Sequence, residues 1–155
     1  MRRAAIFAVT VTVTVTVTAA SVRGAEMSDQ VATGSFDVAM TPAAAPAPEI
    51  GSWTLAKSFH GDLSATSTGQ MLSAGDPAHG TAGYVAIELV SGMLGGRRGS
   101  FALQHSGTMA NGAQTLAVTV VPGSATGDVV GLAGTMTIDT AGGGHRYVLH
   151  YHLPQ

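Results

Sequence analysis

Histidines and carboxylates are sparse in this chain, six and nine in 155 residues, so the few that fall in strand-like segments mark where chemistry could occur. His105 alternates with Phe101 and Leu103, which places its imidazole on an apolar strand face. A buried imidazole needs a hydrogen-bond partner, or its burial costs ~1–3 kcal/mol. Tyr147 and Tyr151 share one face of the last strand-like segment and are the expected partners. The plain reading is a satisfied core histidine. The functional one is a ligand-contacting or acid–base group, because an imidazole titrates near neutrality. Glu88 is expected opposite Gln104 and beside Thr119, held by hydrogen bonds on the outer face. That arrangement is either a structural surface pair or part of a small, Ala-rich contact with another subunit.

Other candidates carry less. His150 and His152 sit two apart on one strand face, a spacing that can chelate a metal, but no third ligand accompanies them, so no metal site is expected. Ser124 follows Gly123 directly, so the G-x-S-x-G nucleophile elbow is absent and a turn serine is the better reading. The glycine-rich segment Pro122 to Gly134 lacks the lysine and the following helix of a phosphate loop, and reads as a structural loop crossing a barrel end. With no cysteine, thiol catalysis, disulfides and Cys-based metal sites are excluded. No cofactor is implied.

The elements that must position these residues are short and alternating: Gly34 to Met40, Ser52 to His60, Ser64 to Leu72, Gly83 to Leu94, Arg98 to Met109, Ala113 to Val121, Gly134 to Asp139 and His145 to Leu153. Eight strands separated by glycine-bearing turns predict an all-β fold, a single closed antiparallel barrel. The Pro/Ala-rich stretch at 41–50 cannot donate ladder bonds at its prolines and is expected to be a surface loop. A three-residue turn at Gly95-Gly96-Arg97 pairs Leu89 with Leu103, Ile87 with His105 and Glu88 with Gln104. A two-residue turn would set Glu88 against Leu103 and mix polar with apolar residues on both faces, so the three-residue turn is preferred. Asn111-Gly112 is the strongest hairpin signal and pairs His105 with Val118 and Leu103 with Val120. The expected core face therefore includes Val85, Ile87, Leu89, Phe101, Leu103, His105, Leu116, Val118 and Val120. The last hairpin sets Met136 opposite Leu149 and Ile138 opposite Tyr147, turning Tyr147, Leu149, Tyr151 and Leu153 inward.

Ahead of these strands, Arg2 and Arg3 precede an uncharged run from Ala4 to Ala20, followed by small residues, the layout of a secretory signal peptide. The chain is expected to divide into a leader at 1–24 and a barrel domain at 25–155, secreted or periplasmic; a start at Met27 would instead make it cytoplasmic. The run is too short and polar for a stable membrane span. Loss of Arg2, Arg3 and Arg23 with the leader moves the net charge from −2 to −5. Four basic residues remain, too few to neutralise a row of phosphates, so nucleic acid is not an expected partner.

Gly34-Ser35-Phe36-Asp37-Val38, Tyr84-Val85-Ala86-Ile87-Glu88, Gly99 to Gly107, Val120 to Gly127 and the closing His145, Tyr147 and Tyr151, taken in order, resemble an uncharacterised bacterial family, domain of unknown function 3224. The resemblance spans roughly residues 34 to 154 and implies an allene oxide cyclase-like closed barrel without supplying an activity. The chain departs from the family pattern after its first strand, where the Pro/Ala loop stands in place of a Trp and acidic residues, and at His150, where an acidic residue is usual. Three functions compete: binding of a small apolar molecule in the barrel, with His105, Tyr147, Tyr151, Glu88 and Gln104 as candidate contacts; an isomerase or cyclase on an apolar substrate, by fold analogy; and a structural envelope protein with a filled lumen. A homo-oligomer is compatible with each. If the leader is cleaved, the mature chain begins between Ser21 and Ala25; intact mass of protein from its host checks this, and a cytoplasmic chain starting at Met27 would refute it.

Overall fold

Alternation of small polar with branched and aromatic residues, cut by glycine turns, builds strands in the computed structural model, which describes residues 27–154. The expected leader at 1–24 lies outside the described residues. The strands are β1 (Met27–Pro42), β2 (Gly51–Gly61), β3 (Leu63–Asp76), β4 (Thr81–Leu94), β5 (Arg97–Ala110), β6 (Ala113–Val120), β7 (Thr126–Gly127), β8 (Ala133–Asp139) and β9 (His145–Pro154), with a 3-10 turn at Pro77–His79. All eight expected strands are present. β1 begins at Met27 rather than Gly34, and the two-residue β7 was not foreseen. The Pro/Ala loop runs from Ala43 to Ile50, because Thr41 and Pro42 still pair with Thr54 and Trp53. No helix among the described residues is long and apolar enough to cross a membrane.

Neighbouring strands are antiparallel in the order β4-β3-β2-β1-β9-β8-β6-β5-β7, and pairing of β4 with β5 closes an eight-stranded barrel. β7 is the extra strand: it pairs with Gly99 and Ser100 of β5, while β6 pairs with the same strand from Leu103 onwards. Between β6 and β7 the ladder is interrupted, and Ser124 repairs it. Its hydroxyl accepts from the Ala102 amide at 3.0 Å and donates to the Val121 carbonyl at 2.6 Å. Ser124 is thus a turn serine. The glycine-rich segment beyond it lays Val129 and Leu132 into the core with Leu63, Leu94 and Leu153, which seals one end of the barrel.

One register departs from the expectation. β4 and β5 meet through a two-residue Gly95-Gly96 turn with φ of 55° and 82°, so Ala86 pairs with His105, Ile87 with Gln104 and Glu88 with Leu103. Two adjacent glycines accept the paired left-handed angles that a tight hairpin requires, which a three-residue turn through Arg97 would not have used. Every β4 side chain is reversed relative to the expectation. Val85, Ile87 and Leu89 point outward, 55, 51 and 52% exposed, while Ala86, Glu88 and Val90 point into the lumen. Leu116, also expected in the core, sits 45% exposed at the barrel rim. The preference for unmixed faces failed because this lumen contains a charged group, and a barrel exterior tolerates aliphatic residues.

The other registers are as expected: His105 opposite Val118, Leu103 opposite Val120, Met136 opposite Leu149 and Ile138 opposite Tyr147. Asn111 and Gly112 have φ of 51° and 79°. A Cβ at Gly112 would meet nothing within 4 Å, so a substitution there is felt through the backbone alone. Gly112→Val should lower stability by ~1 kcal/mol or more, because a β-branched residue resists positive φ; urea unfolding with no loss would refute the turn assignment.

Candidate functional site

The inward alternation of β2 runs Leu55, Lys57, Phe59, which places a lysine in phase with apolar neighbours. On β3 the same level is occupied by Ser67, on β4 by Glu88 and on β5 by His105, so four polar side chains from four consecutive strands converge inside the barrel. Glu88 is fully enclosed, and the side chains of Lys57 and His105 are 7 and 5% exposed. Lys57 Nζ donates to Glu88 Oε1 at 2.7 Å, His105 Nε2 lies 2.8 Å from the same oxygen, and Ser67 Oγ donates to Oε2 at 2.6 Å. The Lys57 ammonium also lies 4.9 Å from the centroid of the Phe36 ring, within cation–π range. Gly69, paired with Glu88, leaves room for it: a Cβ there would press on the Glu88 Cβ at 2.6 Å.

Burial pushes the Glu88 carboxyl up, but the His105 bond, the Lys57 charge and the Lys57 and Ser67 hydrogen bonds outweigh it and hold the group down at about 2. Glu88 is therefore ionised at neutral pH. With Glu88 as an acceptor, His105 Nε2 carries the hydrogen of that bond.

The residues expected to gather round His105 do not all do so. Its partner is Glu88, not Tyr147 or Tyr151, and Glu88 lies in the lumen rather than on the outer face beside Gln104. The Tyr147 hydroxyl accepts from the Leu63 amide at 2.9 Å and donates to the Thr33 carbonyl at 3.1 Å, tying the sealed end of β1 to β3. Tyr151 donates to Gln30 Oε1 at 2.8 Å. Gln104 stands outside, next to Ile87. Lys57 and Ser67 were missed, although Lys57 between Leu55 and Phe59 was a usable signal: a lysine in phase with a core face requires a carboxylate to meet it. His150 and His152 stay on the outer face, with His152 Nδ1 2.6 Å from Asp29.

Four residues before Glu88 on β4, Tyr84 marks the open end of the barrel. A cavity of about 340 Å³ lies there, walled by Trp53, Met71, Tyr84, Met109 and Leu116, with Ser73, Thr108 and Gln114 supplying polar atoms. Tyr84 packs over Gly107, where a Cβ would run into its ring. Burial, and then the charge of Glu88, push the Tyr84 hydroxyl up, so it remains a neutral donor. Neither Glu88, Lys57 nor His105 lines this cavity. The arrangement is an open mouth with apolar walls and a few polar atoms, separated by the Ala86 level from the ionised network deeper in the lumen.

A closed eight-stranded antiparallel barrel with a buried Lys–Glu–His network and an apolar mouth is the class of protein these features define. The chain belongs to the family described as "Protein of unknown function (DUF3224)", whose sequence profile matches residues 32–151. Among solved structures it is similar to the crystal structure of a protein of unknown function from the DUF3224 family of Shewanella oneidensis MR-1, at 45% identity over 84% of this chain and 99% of that one, with a TM-score of 0.75. No curated protein matches it.

Removing Lys57 would leave the Glu88 carboxylate buried without its cation, so Lys57→Met should destabilise by ~3–5 kcal/mol, and Lys57→Met with Glu88→Leu should recover part of that loss. A single variant as stable as the parent in denaturant unfolding would refute the pairing. Because the folded Glu88 value of about 2 lies below its ordinary 4.5, its stabilisation is full above roughly pH 4.5 and is lost as pH falls towards 2. The stability gap between parent and Glu88→Gln should accordingly narrow across that range.

Proposed function

We propose that this protein is an exported binding module that takes a small, mainly apolar molecule into the open mouth of its barrel. The cavity walled by Trp53, Met71, Tyr84, Met109 and Leu116 carries this reading. Its size falls at the lower end of small-molecule sites, and its composition, apolar walls with a few hydroxyls and amides, suits a compact hydrophobic ligand oriented by one or two hydrogen bonds. Two flexible thioethers beside two aromatic rings favour an unsaturated or aromatic ligand over a linear chain. The absence of Glu88 and His105 from the cavity wall favours binding over the isomerase or cyclase reading, since no acid–base pair touches the space a substrate would fill. An open mouth favours it over a filled structural barrel. Export rests on Arg2 and Arg3 followed by the uncharged run from Ala4 to Ala20.

Trp53 is the only tryptophan and lines the cavity, so its emission reports occupancy. Titration with the neutral probe N-phenyl-1-naphthylamine should give a saturable change in Trp53 fluorescence. Leu116→Arg, at the exposed rim, should weaken binding ~10-fold or more. His105→Gln should lower the melting temperature and leave probe affinity unchanged. No saturable response, or a Leu116→Arg variant that binds like the parent, would overturn the proposal.

A further inference from the structure

The register that sends Glu88 inward sends Val85, Ile87 and Leu89 outward, three aliphatic side chains in a row, each more than half exposed. The strand exteriors immediately beside them carry no compensating charge. Outward positions over 64–74 of β3, 81–93 of β4, 100–108 of β5 and 113–119 of β6 hold only apolar, glycine, hydroxyl and amide residues. Asp76 at the end of β3 and Arg98 at the start of β5 bound this area, and the other charged side chains on strand exteriors stand on the other half of the barrel, at Asp29 and Asp37 of β1, Asp139 of β8 and Arg146 of β9. We propose that the β3–β6 exterior is the contact surface of a two-fold homodimer.

Three observations select a second copy of this chain as the occupant. The first is charge. Residues 27–154 carry eight carboxylates against four basic side chains, so two copies repel through most orientations, and the uncharged β3–β6 face is where they approach at least cost. The same neutrality gives a charged partner nothing to recognise.

The second is shape. Beside the aliphatic ridge runs a trough of about 500 Å³ between the Pro46–Ile50 loop and the strands, bordered by Leu72, Val85 and Ser106. A smaller depression of about 340 Å³ continues from it past Gln70 and Gln104, sharing Leu72 and Val85. Ridge and trough side by side on one face are what a two-fold axis needs, because the ridge of each copy then meets the trough of the other.

The third is size. Four strands spaced ~4.8 Å apart, each offering ~9 residues at ~3.3 Å, project roughly 500–600 Å², and side-chain relief brings the accessible area towards the ~800 Å² per partner of a stable interface. An uncharged face of this extent is at the upper end of what an isolated monomer leaves open. Gln70 and Gln104, flanking Ile87, can pair across the axis without the desolvation cost of a charge.

The test is sedimentation velocity of the full chain from about 1 to 100 µM at physiological salt, with Ile87→Lys and the milder Leu89→Gln compared against Val31→Lys, which changes an equally exposed aliphatic residue on the opposite side of the barrel. The parent is expected to sediment as a dimer of 15.5 kDa chains. Ile87→Lys should raise the dimer dissociation constant at least tenfold and Leu89→Gln by a smaller factor, with unchanged circular dichroism and melting of the monomer. Val31→Lys should leave the constant unaltered. A parent that stays monomeric throughout overturns the proposal, as does an oligomer indifferent to Ile87→Lys. A monomer that floats with phosphatidylcholine–phosphatidylglycerol vesicles through Ile87 overturns it in favour of a lipid surface. Ile87 points outward and does not line the mouth cavity, so probe binding by Ile87→Lys separates failure here from failure of the binding function.

Discussion

Glu88 is ionised in the middle of a barrel lumen, and an enclosed carboxylate is tolerable there only because Lys57, His105 and Ser67 all reach it. Moving such a group out of water costs several kcal/mol, and the partners return this only when each bond is well formed. The three distances, 2.6 to 2.8 Å, meet that condition, and no buried side-chain polar atom among the described residues is left without a partner. The pairing constrains the topology as well. Lys57, Ser67, Glu88 and His105 come from β2, β3, β4 and β5, so the network forms only when three successive ladders are each in register. A one-residue slip in β4 would turn Glu88 out to solvent and leave the Lys57 ammonium among Phe36 and Phe59 without its carboxylate.

The same constraint explains the outside of the molecule. Strand side chains alternate, so fixing Glu88 inward fixes Ile87 and Leu89 outward whatever their hydrophobicity. In a β4 segment reading Val85-Ala86-Ile87-Glu88-Leu89-Val90, the aliphatic residues would bury more surface in the opposite phase. They do not, which means that the satisfied charge network together with the tight Gly95-Gly96 turn outweighs the transfer of three aliphatic side chains out of water, each worth ~1.5–3 kcal/mol when fully buried. Being only half exposed, they forfeit a fraction of that.

Much of the fold was legible because its signals are local. Asn111-Gly112 specifies a turn by the angles its residues accept, and the alternation of Tyr147, Leu149, Tyr151 and Leu153 shows a face without reference to any partner. The site was less legible because its signals are not local. His105 was correctly placed in the lumen, but its acceptor lies 17 residues away on a strand whose phase cannot be read from its own alternation. The rule that faces should not mix polar with apolar assumes a dry interior and a wet exterior. Lys57 was the exception that tested the rule, since its in-phase neighbours Leu55 and Phe59 already placed a cation in the lumen. A strand carrying an enclosed lysine requires another to carry an enclosed carboxylate, and the interior-facing options for that role were few.

Tyr84 joins this interior to the mouth. Its ring rests on Gly107 within the cavity wall, and burial, then the charge of Glu88 deeper in the lumen, push its hydroxyl up. A molecule seated against Tyr84 would displace water from a phenol already disfavoured from ionising, which strengthens any hydrogen bond that phenol donates. The network beneath needs no movement to exert this effect, because its charges are fixed by mutual hydrogen bonds before a ligand arrives. The barrel thereby separates two demands that usually conflict. The charged groups that set the strand register are kept away from solvent, and much of the exposed apolar surface lies at one open end and on one uncharged outer face.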